Sequence, residues 1–298
     1  MMAPAPTSPQ KVDLREPRSW RRTRNRVATA LMALSFVLVI IPLGFVLFTV
    51  IAKGASVINW SFLTKSIPPN VLPASFGGIG PAVLGTLEIT ALATVLAVPL
   101  GILGAIYLNE YGGRRPLARL IGFMADVMTG VPSIVMGLFI FSIWVLHFGF
   151  SGLAGAFALG CLMLPIVIRS TDEMLKLVPD ALREGSYALG ATKARVTLTV
   201  VLPAALGGIV SGALLAVARA AGETAPLLFT ILTVTTANPN VFSGANTSLP
   251  SQIFVNASSP YVGAQARGWG AALTLIAIAF ILMIAARLVT ARFARFAR

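Results

Sequence analysis

Six long apolar runs leave this chain one architecture, a set of helices that cross a bilayer. They run Val27 to Ala52, Leu84 to Leu108, Leu117 to Leu146, Leu153 to Ile168, Val196 to about Thr235 with internal breaks, and Gly268 to Ile284. Spans of about 20 apolar residues are what a hydrocarbon core of about 30 Å requires. Composition agrees: 56% of the 298 residues are hydrophobic, 11% are charged, and the mean hydropathy is +0.85, far from a soluble domain. The expected fold class is an all-α integral membrane protein with six transmembrane helices. The first run follows a basic, proline-bearing tail and is too long for a signal-peptide core, so it reads as an uncleaved first span. Residues 1–26 read as a disordered basic tail and 27–52 as the first helix. Residues 53–80 read as an extracytoplasmic loop and 291–298 as a basic C-terminus.

Orientation follows from where Lys and Arg fall. On the side of the tail there are seven in residues 11–26, three in 110–119, five from Arg169 to Arg195 and four at the C-terminus. The other side carries only Lys53, Lys65 and Arg267. Both termini are therefore expected in the cytoplasm, which requires an even number of spans. Trp60, Trp144 and Trp269 fall near outer ends and Trp20, Tyr107 and Tyr111 near inner ones, as interfacial aromatic belts do.

Several function classes drop out. The net charge of +13 would fit nucleic acid only if the basic residues shared a face, and they fall between apolar runs instead. A P-loop needs Gly-Lys-Ser/Thr to cradle phosphates, and none of the five lysines follows a glycine, so no ATP site is expected in this chain. His147 is the only histidine and Cys161 the only cysteine, both in or beside apolar runs. Packing is the expected role of each, with no metal site and no disulfide within the chain. No nucleophile and base pair stands out.

Charges inside the runs remain. Insertion scales put a charged side chain at the centre of a span at roughly +2.5 to +3.5 kcal/mol, so such a residue faces a cavity or a partner. Arg219 and Glu223 lie four apart and share a face on a continuous helix, in the order that stabilises a helix less. Ala220, Ala221 and Gly222 keep their surroundings narrow, and Pro226 removes a backbone bond to Gly222 and breaks the helix. Two readings stand: the lining of an anion path, where the guanidinium fork suits a tetrahedral oxyanion, or a buried structural ion pair. Arg169 ends the fourth run, where an arginine by position snorkels to the headgroups. Asp126 reads as structural packing, bonded to Thr129 or a neighbouring helix, ahead of substrate contact. Glu88, near the outer end of the second run, reaches water. The Pro132-Ser133 break interrupts the third run and faces a cavity or another helix.

The polar segment from Arg183 to Pro203, REGSYALGATKARVTLTVVLP, reads as two short helices meeting at a glycine. Asp180 caps the first, which runs through Tyr187; Gly190 supplies a left-handed turn; Thr192 starts the second, towards Leu202-Pro203. The order Glu184-Gly185-Ser186, Gly190, Leu202-Pro203 resembles the EAA loop of ABC-importer permeases, the element that docks into a cleft of the ATPase. Gly185 and Ser186 replace the two alanines of the general pattern, and both are small.

The resemblance extends further. GGIGPAVLGTLEIT at 77–90, TGVPSIVMGLF at 129–139, LPIVIRSTDEMLKLVPDALREGSYALG at 164–190 and ARAAGETAPLLFT at 218–230 are similar to the PstA family of phosphate ABC-transporter permeases. That resemblance implies a type I importer (MetI-like) core over 81–290, with a coupling loop over 171–203. It implies that Arg219, Glu223 and Arg169 serve phosphate passage, and that Arg183, Glu184, Gly185, Ser186, Gly190, Leu202 and Pro203 serve ATPase coupling. It also implies partners: a homologous permease subunit (PstC-like), a dimer of ABC ATPases (PstB-like) that uses ATP and Mg, and an extracytoplasmic phosphate-binding protein (PstS-like). The chain itself is expected to be non-catalytic, to bind no cofactor, and to sit in the bacterial cytoplasmic membrane. Sulfate or molybdate importers are the nearest alternatives, since an arginine alone does not separate tetrahedral dianions. A secondary anion transporter would also use an arginine in a broken helix but needs no bracket of this pattern. A polytopic membrane enzyme would need reacting side chains at one depth.

Overall fold

The computed structural model describes residues 20–113 and 115–296, all helix and connecting turns with no strand among the described residues. The chain divides into two units, residues 1–49 and 50–298. In the first unit the described residues form one apolar helix, α1, Trp20–Gly54, whose last turns belong to the second unit. Residues 20–26, expected as part of the tail, are helical; the rest of the expected tail lies outside the described residues.

In the second unit α2 (Trp60–Thr64) precedes α3 (Gly80–Ile106). Next come α4 (Pro116–Gly130), α5 (Ser133–Ile140), α6 (Leu146–Phe148) and α7 (Gly152–Lys176). The remaining helices are α8 (Asp180–Ala188), α9 (Lys193–Val196), α10 (Leu202–Ala221), α11 (Ala225–Thr230), α12 (Leu249–Ala257) and α13 (Val262–Phe296). π-helical turns at Tyr107–Gly112, Phe141–Val145 and Thr197–Val201 extend α3, join α5 to α6, and join α9 to α10. The last follows from Pro203, whose missing N–H leaves the carbonyl four residues back without its usual donor; widening the preceding turn lets the helix continue.

The helix pair that orders everything else is α3 and α7. Ile89 meets Gly155, Ala97 meets Gly160, Val167 meets Gly101 and Ile168 meets Gly104. Contacts advance in the same direction on both helices, so α3 and α7 run parallel. Parallel neighbours need a connection that returns the chain to the starting face, so α4 to α6 cross the layer once. They do so with a 110° bend at Val131-Pro132, both extended in ψ. The expected third span is thus one crossing made of two helices. Met174 meets Gly208 and Ser170 meets Gly212, which makes α10 antiparallel to α7. With α13, whose Ala271 packs beside Ile79 and Ala82 and whose Ile278 lines a groove with Thr90 and Thr94, the body presents four straight spans and one bent one. Adding α1 gives six candidate crossings.

Three apolar clusters stack along the span axis. Phe62, Ile67, Ile79, Ala82, Leu249 and Ala271 close one face. Ile89, Ala93, Ala97, Ala156, Leu159, Met163, Val167, Ala216 and Ala220 fill the middle. Ala105, Leu175, Val178, Val196, Val201, Ala205 and Ile209 close the other face, where α8 and α9 lie. The alanines in the middle allow close backbone approach, and dispersion holds helices together there because lipid tails are as apolar as leucine. Val95, Leu100, Leu103, Phe139 and Leu215 are exposed and face outwards, as a bilayer-embedded surface does.

Other boundaries differ from the ends of the apolar runs. The fourth ends at Lys176 instead of Ile168, because Arg169, Asp172 and Lys176 pair at i,i+3 and i,i+4 and carry the helix past the apolar region. The fifth stops at Ala221 and does not reach Thr235; the sixth runs from Val262 to Phe296. Between them α12 has no apolar run to announce it. Its buried face is polar, with Ser251, Gln252 and Asn256 inside, a Ser248/Ser251 capping box, and Thr86 of α3 accepting from the Leu249 N–H at 2.8 Å. Arg267 is also inside, 1% exposed, donating to the carbonyls of Pro69, Asn70, Leu72 and Pro73. It fixes that loop across the start of α13 without any carboxylate.

A Cβ on Gly101 would stand 2.7 Å from Val167 Cγ1, whereas one on Gly104 would meet Ile168 at an ordinary 3.5 Å. Gly101→Val therefore should destabilise by about 1–3 kcal/mol, through overpacking against a stiff β-branched partner. Gly104→Ala should be neutral, and thermal unfolding of the two detergent-purified variants checks the contrast.

Candidate functional site

The bracket between α7 and α10 forms much as its residues dictate. α8 spans Asp180–Ala188, Gly190 takes φ +79°, and its N–H donates to the Tyr187 carbonyl at 2.9 Å, closing the helix in a left-handed turn. Thr192 is the N-cap of α9 and accepts from the Arg195 N–H. The one departure is at the start: Pro179 is the N-cap, and Asp180 lies in the first turn, where its carboxylate pairs with Arg183 at 3.2 Å. Pro at that position presets the helical approach and needs no side-chain cap.

Arg183 is turned away from the outer surface of the bracket. Its guanidinium reaches Glu110 Oε1 at 3.1 Å and the carbonyls of Leu175 and Val178 at 2.9 and 2.5 Å. The side chains of Arg183 and Glu110 are 14% and 5% exposed, so this is a buried pair that ties α8 to the end of α3 and to the last turn of α7. Lys193 adds a second tie, its ammonium 5.2 Å from the Tyr111 ring centroid. Glu184, Gly185 and Gly190 are exposed, and nothing lies within 4 Å of a Cβ at either glycine. Leu189 is 90% exposed beside them. Ser186 bonds back to the Leu182 carbonyl at 2.8 Å. Leu202 is half-buried and Pro203 exposed, inside the continuous helix that leads from the bracket into α10. The bracket is thus a rigid projection: anchored by one buried arginine, bare on its outer side, and continuous with a spanning helix.

Deeper in the body two arginines each face a carboxylate. Arg169 on α7 does not snorkel outwards. Its Nη2 lies 2.5 Å from Asp126 Oδ1 and donates to the Gly122 carbonyl at 2.7 Å, both on α4. Asp126 therefore bonds a neighbouring helix through its side chain, while Thr129 takes only its main-chain carbonyl. Asp172 sits 4.0 Å from Arg169 Nη1, and is itself held by Lys176 at 2.5 Å and Asn109 at 3.4 Å.

Arg219 occupies the last turn of α10, 70% exposed, with its Nε 3.6 Å from Glu223 Oε1. The helix ends at Ala221, so Glu223 belongs to the non-helical link Gly222–Thr224 and not to a continuous face. Pro226 falls in the first turn of α11, where it starts a helix and does not interrupt one. It is buried against α5, its Cα 2.6 Å from where Gly137 would carry a Cβ. The two helix breaks, at Val131-Pro132 and at 222–224, are thus followed by segments packed on each other. Ser170, next to Arg169, abuts Gly212, and Arg219 lies seven residues beyond, about 10 Å along the axis. The two arginines therefore stand at successive depths. Glu88 is half-buried on α3 with no ion pair among the described residues, apart from both.

Sequence reasoning missed Glu110, Asp172 and the caging of Arg267. Asp172 and Lys176 were visible as an i,i+4 pair; Glu110 lay in LNEYGG at the edge of a run, with no local partner to mark it.

This geometry, a bundle of spans with an anchored projecting bracket at one face and arginine–carboxylate pairs beside helix breaks, has a known family. Residues 97–295 match the family model described as binding-protein-dependent transport system inner membrane component, and the chain belongs to that family. Among relatives, it is 46% identical over 272 residues to phosphate transport system permease protein PstA 1 of Mycobacterium tuberculosis (strain CDC 1551 / Oshkosh), covering 90% of this chain and 89% of the relative. It is 40% identical to phosphate transport system permease protein PstA of Yersinia pestis, covering 93% and 94%. The fold is also that of solved ABC-transporter chains. One is from a bacterial alginate ABC transporter (TM-score 0.62, 12% identity, 92% of this chain and 98% of that one). Another is from the inward facing MetNI methionine ABC transporter (TM-score 0.53, 20% identity, 74% and 94%).

Removing one partner of a buried pair strands the other, so Arg183→Met should cost about 3 kcal/mol locally. Limited proteolysis of the purified protein should show cleavage within 177–193 at a protease level that leaves the unaltered chain intact.

Proposed function

We propose that this chain is the permease subunit of an ATP-driven importer of inorganic phosphate, contributing half of the translocation path. It sits in the bacterial cytoplasmic membrane with the bracket and both termini on the cytoplasmic side. The observation that carries the cargo is Arg219 with Glu223: an arginine left largely open at the end of a broken spanning helix, in a chain closely similar along its length to phosphate permeases. A guanidinium fork presents paired donors to an oxyanion, and low-dielectric walls strengthen the attraction. The partial exposure and the 3.6 Å partner keep that attraction moderate, which suits a transient contact.

The other subunits follow from the bracket. Glu184, Gly185, Ser186 and Gly190 form its bare outer side and dock into an ABC ATPase, which holds the ATP and Mg; Arg183 positions that surface from within. Leu202 and Pro203 carry movement of the docked ATPases directly into α10, at whose far end Arg219 stands. A homologous permease subunit completes the path, and an extracytoplasmic phosphate-binding protein delivers cargo to the opposite face. Arg169 forms a second anion step nearer the bracket. Access alternates as the bracket moves: ATP binding draws the ATPases together, α10 tilts, and the path opens to the delivery side. The chain performs no chemistry itself.

Arg219→Gln keeps the size of the side chain and removes its charge. In the assembled complex it should abolish uptake of labelled phosphate while all subunits still co-purify; near-normal uptake would remove Arg219 from the path.

A further inference from the structure

The Arg169 cluster is electrically complete without any ligand. Asp172, 6% exposed, is already matched by Lys176 at 2.5 Å and bonded by Asn109. That leaves Asp126 as the one close carboxylate of Arg169. The four charges of Arg169, Lys176, Asp126 and Asp172 cancel. Arg169 also keeps a buried Nε with no hydrogen-bond partner, so one edge of the fork lacks an acceptor.

The two partners of the 2.5 Å contact differ in kind. Arg169 rises from α7, a straight helix packed on α3 and α10. Asp126 is 66% exposed on α4, one turn before the 110° break at Val131-Pro132. A pair this solvated contributes about 0–1 kcal/mol to stability, too little to explain its placement as a structural brace. A carboxylate offers a guanidinium the same pair of acceptor oxygens that a phosphate does. An anion binding the Nη2 edge of Arg169 competes with Asp126 for it.

The geometry points to Asp126 as a resident surrogate for the cargo anion: it neutralises Arg169 while the path is empty, is displaced when an oxyanion arrives, and on returning expels it. Displacement leaves the Gly122 carbonyl bond to the same Nη2 as the remaining tie between Arg169 and α4. Asp126 is in this sense a positioning residue that sets how long the anion stays. The inference rests on the phosphate-permease reading.

The test uses the complete transporter. Uptake of radiolabelled phosphate by proteoliposomes of the unaltered complex is the control; its absence would count against the permease reading and not against the role of Asp126. Equilibrium dialysis of the complex without binding protein then measures retention of inorganic phosphate. Asp126→Asn should bind it at least about tenfold more tightly than the unaltered complex and transport it at least about tenfold more slowly, since an unopposed Arg169 retains the anion. Adding Arg169→Gln should abolish the extra binding. The swap Asp126→Arg with Arg169→Asp restores the pair in reverse; it should assemble and remain inactive. Unchanged phosphate binding in Asp126→Asn, failure of that variant to assemble, or normal transport by the swap would each overturn the proposal.

Discussion

The close parallel packing of α3 on α7 is the constraint from which the rest of the structure follows. Glycine and alanine at 93, 97, 101, 155, 156 and 160 let the two backbones approach, and the contacts advance together along both. Once two consecutive long helices are parallel, the chain between them must traverse the whole layer in reverse. It has only residues 113–151 for this, and makes the crossing with a helix that breaks at Val131-Pro132. That break leaves α4 leaning on α7 where Arg169 lies, and aligns α5 to receive α11 at Pro226. The Arg169–Asp126 pair is a consequence of that one packing choice.

The arginines divide by what neutralises them. Arg267 and Arg183 are buried and multiply bonded, one through its two terminal nitrogens to four loop carbonyls and the other to Glu110 and two carbonyls; they hold the loop at 69–73 and the bracket in place. Arg169 and Arg219 are partly open, and the nearest carboxylate of each is carried by a segment beside a helix break. Buried, multiply bonded arginines are structural because moving them would strand a buried charge. A partly open arginine exchanges its partner at smaller cost, which suits the proposed anion path. The bracket joins the two kinds, since α9 runs through the π-helical turn at 197–201 into α10 without interruption, from the Lys193 contact with Tyr111 to Arg219.

Much of this was legible in the residues, because lipid imposes a length and a periodicity that composition reveals directly. The spans, the left-handed Gly190 and the cap at Thr192 depend on local chemistry alone. What escaped depends on contacts between distant residues. Glu110 and Arg183 are 73 positions apart, and nothing near Glu110 marks it as half of a buried pair. Arg267 sits at the edge of an apolar run, where an arginine ordinarily meets water; only the folded loop at 69–73 shows its carbonyl cage. α12 has a buried polar face, capped by Ser248 and Ser251 and joined to α3 through Thr86, so no hydrophobic pattern announces it. The helical extension to Lys176 was foreshadowed by the charge spacing in RSTDEMLK, yet apolar length alone ended that span too early.

The central claim is that bracket movement drives an oxyanion past these arginines and that the oxyanion is phosphate. The measurement that bears on this is ATP-dependent uptake of labelled phosphate by this chain reconstituted with the proposed permease, ATPase and binding-protein partners, with unlabelled sulfate in large excess. Phosphate should accumulate only when ATP is present, unaffected by sulfate. Strong competition by sulfate, or accumulation without ATP, would contradict it.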